Sequence, residues 1–201
     1  MNLGLDIDGV LTNIEAFQFH YGIPFFKKNY NRDIVNECGK NIKQLFDCTE
    51  EEERKFWSIY LFPYAIFDKV RAHAADYTKW AYENNHHIYI ITSRVFTTKD
   101  TFMGKAMRFI VRGWLKRNGI RYDEIVFCDE DKLHAIKKYN ICCMVEDDPD
   151  NIKALKDYTH VICMDNKCNA HIDDEGVKRC YNFSEVTEYM KEWEAHKRAE
   201  E

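Results

Sequence analysis

The chain has 201 residues, 45% of them apolar, and a formal net charge of −5. That length suits one domain with room for a small inserted module, and the apolar share is enough for a buried core. The negative balance excludes the broad basic face that a nucleic-acid polymer would need, and no apolar run approaches the ~18 residues required to span a membrane.

The first predicted element is a strand over residues 3–7, and it runs into Asp6-Ile7-Asp8-Gly9-Val10-Leu11-Thr12. Two carboxylates two residues apart share a face while the chain is extended, and Gly9 lets it turn away sharply. Residues 13–67 contain no convincing strand, yet they hold 13 of the chain's 29 aromatic residues. A small helical unit needs large side chains to fill its own core, so this stretch reads as a helical insertion after strand one. Thr12-Asn13-Ile14-Glu15 and Thr49-Glu50-Glu51-Glu52 both have the pattern of a helix-opening capping box.

From there short apolar runs alternate with longer amphipathic stretches, as in βαβ units with a parallel sheet. Helices are predicted over 69–84, 99–117, 131–139, 150–157 and 184–198, and strands over 88–91, 125–127, 141–145 and 160–163. In the helix over 99–117 the spacing puts Phe102, Ala106, Phe109, Ile110 and Trp114 along one side. The opening residues lack the basic region and apolar run of a leader, so the eight cysteines are expected as reduced thiols and the protein in the cytoplasm. Cys163, Cys168, His171 and Cys180 could in principle hold zinc, but their spacing is not that of a standard knuckle and a core-and-loop role is preferred.

Parallel sheets gather ligand groups at the carboxyl ends of their strands, and four features sit at such ends. Asp6 and Asp8 could serve as nucleophile and proton carrier and share a hard cation. Thr92-Ser93-Arg94 offers hydroxyls and backbone N–H groups to a phosphoryl oxygen, although Ser and Thr also end many strands as helix caps. Lys132 could neutralise phosphate, and Glu146-Asp147-Asp148 could complete an oxygen-rich magnesium shell while Asp148 or Asp150 caps the next helix.

In this order, DIDGVLT, ITSR, DK and VEDDPDN resemble the four motifs of the haloacid dehalogenase superfamily over nearly the whole chain. The resemblance implies an α/β fold: a Rossmann-like core of residues 1–12 and 68–201, with a parallel sheet flanked by helices, and a small helical cap over 13–67. It further implies a Mg²⁺-dependent phosphatase in which Asp6 is the nucleophile, Asp8 the general acid and base, Thr92 and Lys132 bind the phosphoryl group, and Asp6, Asp8 and Asp147 hold the metal. Glu146 stands where the pattern commonly has aspartate, and Asp147 is preferred as the metal ligand. Within the superfamily the chain is most similar to the 5′(3′)-deoxyribonucleotidases, through Phe56-Trp57 leading to Pro63 and through Cys163-Met164-Asp165, Asn169, Arg179 and Glu185. Those relatives often carry Pro-Gly-Ala and Thr-Ser-Pro where this chain has Pro63-Tyr64-Ala65 and Thr92-Ser93-Arg94.

The implied substrate is a nucleoside monophosphate bound with help from Ser93, Phe56 and Trp57. The alternatives are a sugar or sugar-acid phosphate, or a non-catalytic phosphate-binding scaffold.

Overall fold

The computed structural model describes residues 1–129 and 131–200. In chain order, β1 (Asn2–Leu5) leads through a wide turn, Ile7–Leu11, into α1 (Ile14–Tyr30), α2 (Ile42–Phe46) and α3 (Glu50–Phe67). There follow α4 (Ala74–Glu83), β2 (His87–Thr92), α5 (Phe102–Arg117), β3 (Glu124–Phe127), α6 (Leu133–Lys138) and β4 (Cys143–Glu146). The chain ends with α7 (Pro149–Leu155), β5 (His160–Met164), β6 (Val177–Cys180) and α8 (Phe183–Glu200).

The strands form one six-stranded sheet in the order β3-β2-β1-β4-β5-β6, and every pairing is parallel. Alternation along the strands sends side chains to two helical layers. Leu3, Leu5, Ile88, Ile90 and Val145 meet Tyr77 of α4, Trp114 of α5 and Phe183 of α8. Ile91, Met144, Val161 and Cys163 meet Ile136 of α6 and Ile152 and Leu155 of α7. Each such buried side chain contributes on the order of 1.5–3 kcal/mol, so these two layers hold the strand ends rigidly in place. Among the described residues no helix is long and apolar enough to cross a membrane.

Three local expectations are corrected. Phe102 and Phe109 are 86% and 78% exposed, because α5 turns Met107, Val111, Trp114 and Leu115 to the sheet instead. The Thr12–Glu15 capping box does not form; Asn13 caps α1 by accepting from Ala16 N–H, and Glu15 accepts the backbone N–H of Lys167. The edge strand β6 was not among the predicted strands: it reads Val-Lys-Arg-Cys, too polar to register as an apolar run.

Helices α1–α3 enclose an aromatic cluster of their own, built on Phe17, Phe25, Phe26, Phe46, Phe56 and Tyr64. Phe26 and Phe46 stack with centroids 4.3 Å apart. The Thr49–Glu52 capping box opens α3, and Arg32 grips the same Glu52 at 2.8 Å. An antiparallel bridge between Thr12 and Val70 joins the two chain segments that enter and leave this unit. Away from that bridge, Lys40 reaches Asp148 at 3.4 Å and Asp150 at 2.5 Å, and Lys167 reaches Glu37 at 2.7 Å.

Candidate active site

The strand order reverses direction at β1, and chain segments leaving neighbouring strands open a crevice beyond their carboxyl ends there. Asp6 is the first residue past β1, its N–H bonded to the carbonyl of Val145 at 3.2 Å. The chain then turns at Gly9, whose φ is +88°, and a Cβ there would lie 1.9 Å from Asp147 Oδ2. Only glycine allows both the left-handed backbone and so close an approach of Asp147.

Lys132 joins the two sides of the crevice. It is 2% exposed, and its ammonium lies 2.9 Å from Asp6 Oδ1 and 2.8 Å from Glu146 Oε2. Burial alone would weaken the Lys132 cation, but Asp6 and Glu146 hold it firmly protonated. Thr92 closes β2 fully buried, its hydroxyl accepting from Arg94 N–H at 3.3 Å, and Ser93 is exposed beside it on the cavity wall.

Glu146 and Asp147 differ in what surrounds their oxygens. Glu146 is saturated by protein donors: Lys132 on Oε2, and Asp148 N–H and Asn151 Nδ2, each at 3.2 Å, on Oε1. Asp147 accepts from Asn166 Nδ2 at 2.8 Å on Oδ2, and among the described residues no hydrogen bond engages its Oδ1. Asn169 donates to the Asp147 carbonyl at 2.9 Å and is itself gripped by Arg179 at 2.8 Å. Asp6, Glu146 and Asp147 offer carboxylate oxygens that all lie within 4.8 Å of one another, and all three residues are buried.

The electrostatics record this crowding. Burial pushes the Asp6 carboxyl up to about 7, against the pull of Lys132 and with further push from Glu146 and Asp8. Asp147 is raised well above the usual carboxylate range by burial, Glu146 and Asp6. Four carboxylates, Asp6, Asp8, Glu146 and Asp147, face two cations, Lys132 and Arg94. The surplus of negative charge among hard oxygen donors suits a divalent cation such as Mg²⁺, so the residues present fit that group.

Asp8 lies in a different setting. Burial alone would raise its carboxyl, but the Arg94 guanidinium and hydrogen bonds from Arg94 and Tyr64 hold it below its ordinary value. Arg94 donates through Nε at 3.1 Å and through Nη2 to the other oxygen, and Tyr64 donates at 2.5 Å. Neither Arg94 nor Tyr64 was singled out as a site residue from the sequence. The only signal for Arg94 was its place directly after Thr92-Ser93.

Asp6, Asp8, Ser93 and Arg94 border a cavity of about 680 Å³ whose wall continues through Ile14, Trp57, Leu61, Phe62, Val95 and Phe96. Trp57 therefore lies where a ligand could touch it. Phe56, also expected at the cleft, does not: it is fully buried in the aromatic cluster, with Phe25, Trp57 and Tyr60 rings 5.4, 5.0 and 4.8 Å away. Trp57, roughly 100° further round the helix, packs against the same cluster with one side and borders the cavity with the other. Cys163 and Cys180 face opposite layers of the sheet, so the four residues considered for zinc do not converge.

No protein with a curated description matches the chain. Among solved structures, it is similar to a beta-phosphoglucomutase from Clostridium difficile, with TM-score 0.58 and 16% identity over 95% of each chain. A haloacid dehalogenase-like family hydrolase from Xanthomonas campestris gives TM-score 0.59 and 11% identity over 98% of this chain and 96% of that one. A D,D-heptose 1.7-bisphosphate phosphatase from B. bronchiseptica, complexed with magnesium and phosphate, gives TM-score 0.54 and 13% identity over 96% and 99%. These likenesses establish the fold as the Rossmann-like one of haloacid dehalogenase-type hydrolases. The sequence model of the family described as 5′ nucleotidase, deoxy (pyrimidine), cytosolic type C, matches residues 1–196. With the match running almost end to end, the chain belongs to that family of haloacid dehalogenase-type phosphatases.

Proposed function

We propose that the protein is a Mg²⁺-dependent phosphomonoester hydrolase that acts on nucleoside monophosphates, deoxy forms included, through a phospho-aspartate on Asp6. The observation that carries this reading is Lys132 bridging Asp6 and Glu146 beside the open oxygen of Asp147, in a chain matched over residues 1–196 by a nucleotidase family. A carboxylate oxygen of Asp6, the backbone carbonyl of Asp8 and Asp147 would hold the metal, which when bound neutralises phosphoryl oxygens and the nucleophilic carboxylate. Glu146 then anchors Lys132 rather than ligating.

In the first step an Asp6 oxygen forms a bond to phosphorus as the ester P–O bond breaks, and Asp8, in its minor protonated form, gives its proton to the departing oxygen. The grip of Arg94 and Tyr64 favours the Asp8 carboxylate, which suits the proton-taking step that follows. In the second, water attacks phosphorus, Asp8 takes its proton, and the P–O bond to Asp6 breaks, releasing phosphate and restoring the carboxylate. Lys132, Thr92 and Ser93 bind the phosphoryl oxygens. Residues 13–67 serve as a cap over the core formed by 1–12 and 68–201, and Trp57 on the cavity wall stacks on the base. The eight cysteines are all free, in keeping with a reducing cytoplasm.

Purified protein should release phosphate from nucleoside monophosphates when Mg²⁺ is present. Asp6→Asn should lower turnover more than about 10³-fold while keeping the wild-type Tm, because an amide cannot attack phosphorus. Turnover near wild type in that variant refutes the covalent route. Hydrolysis of sugar phosphates without any nucleotide refutes the substrate class.

A further inference from the structure

Two residues with no role of their own assigned so far converge on Asp8, and each stands at a place where the chain departs from the sequence pattern it otherwise resembles. Tyr64 stands in Pro63-Tyr64-Ala65 and Arg94 in Thr92-Ser93-Arg94. Arg94 grips both oxygens of the Asp8 carboxylate, its side chain only 3% exposed. The Tyr64 hydroxyl donates to Asp8 Oδ1 at 2.5 Å and pairs with Thr12 Oγ1 at 2.7 Å. The Tyr64 ring also lies under the guanidinium, 5.1 Å from centroid to Cζ. Each of the three groups is thus held by the other two. Because Tyr64 belongs to α3 and the others to the segments that follow β1 and β2, packing of the helical insertion against the sheet's edge helps to place Asp8.

A guanidinium offers five N–H donors in a plane, and Asp8 uses only the Nε and Nη2 edge. Among the described residues no hydrogen bond engages Nη1, although Arg94 lines the cavity beside Asp6 and Asp8. A cation fixed in that position, on the cavity wall and with Nη1 outside every hydrogen bond among the described residues, has N–H donors left for the oxygens of a phosphoryl group.

We propose that Arg94 has two roles, positioning Asp8 together with Tyr64 and binding a phosphoryl oxygen of the substrate through Nη1. The substrate class is then a phosphomonoester dianion whose phosphoryl group is held by Arg94 as well as by Lys132. This inference rests on the phosphatase reading above. It accounts for a buried arginine that a strand-end turn alone does not require, and it makes the tyrosine of the insertion part of the chemical centre.

The test compares wild type, Arg94→Met, Arg94→Lys and Tyr64→Phe, with Mg²⁺ present. The readouts are kcat and KM for p-nitrophenyl phosphate and the inhibition constant of inorganic phosphate. Arg94→Met should lower kcat about 10²-fold or more and weaken phosphate inhibition about tenfold or more. Arg94→Lys should restore most of the phosphate affinity without the turnover, since an ammonium cannot grip both Asp8 oxygens as a fork. Tyr64→Phe should lower kcat with phosphate affinity unchanged. A purely structural arginine would lower Tm while leaving the phosphate constant of the folded fraction within twofold of wild type, and that result overturns the proposal. Should Arg94→Met fail to fold, Arg94→Lys carries the decision: kcat and phosphate affinity both at wild-type values overturn it. Phosphate binding by calorimetry on the same proteins separates the two readings. Wild type that binds phosphate through Arg94 but turns over no phosphomonoester refutes the reaction and keeps the anion site.

Discussion

Asp68 carries a cost that its place in the chain does not announce. It directly follows α3, and its Oδ2 is buried with no hydrogen-bond partner among the described residues. Burial pushes its carboxyl from 3.8 up to about 6, against backbone N–H groups of Lys69 and Asn13. A carboxyl raised in the folded state binds protons more tightly there than in the unfolded chain. Its penalty is therefore absent below about pH 4, grows as pH rises towards 6, and is constant above that. Asp68→Asn should raise Tm at pH 8 and give no gain at pH 4; a gain that is larger at pH 4 refutes this account. At this scale the sequence is legible where a residue ends a strand. Asp6, Asp8 and Asp147 are candidates because they close or follow short apolar runs, and Lys132 because it opens the helix after one. Arg94 and Tyr64 could not be paired with Asp8 from sequence, since 86 and 56 residues separate them and no local periodicity links such positions. Between Glu146 and Asp147 the sequence carries only a preference for Asp147 as ligand; the physical difference lies in the hydrogen-bond donors around each.

Helix α3 divides its aromatic side chains between a packed cluster and the cavity wall. Phe56 and Trp57 are adjacent, yet the first is enclosed by aromatic rings and the second borders the cavity. Phe56→Ala should therefore cost on the order of 3–5 kcal/mol of stability and show itself in Tm. Trp57→Ala should raise KM for nucleoside monophosphates about tenfold or more, the worth of a base stacked on an aromatic ring. Its effect on p-nitrophenyl phosphate, which extends less far from the phosphoryl site, should be smaller. Equal KM changes for both substrates, or none for either, would remove base stacking from the account. The elements themselves were mostly visible in the sequence, because a strand buried on both faces is a short apolar run and a helix is a long amphipathic one. Helix α5 is legible in the sequence, but the side it turns to the sheet is not. Phe102 and Phe109 share a helical stripe with small residues Ala106 and Gly113, and periodicity reports a stripe without saying whether it meets the core. The strand β6 escaped notice because an edge strand pairs on one side only and tolerates Lys178 and Arg179.

At the scale of the whole molecule, the sheet concentrates charge where the fold can least easily solvate it. Every strand is parallel, so all carboxyl ends lie on one edge, and β1 and β4 deliver Asp6, Glu146 and Asp147 to the same buried crevice. Lys132 and Arg94 offset part of that charge, and the remainder opposes folding until a cation joins it. Asp6 and Asp147 carry the mark of it, both raised by burial and by the neighbouring Glu146 carboxylate. Binding of Mg²⁺ to the folded chain alone should therefore stabilise the entire domain. At a concentration 100 times the dissociation constant, linkage contributes about 2.7 kcal/mol, or about 5–11 °C in Tm for a chain of this size. A chelator should abolish the increment. Asp147→Asn removes one of the crowded charges together with the open Oδ1, so it should raise Tm in chelator and lose the response to Mg²⁺. Wild-type protein whose Tm ignores Mg²⁺, or an Asp147→Asn variant that keeps the full shift, would show that this crevice is not the cation site.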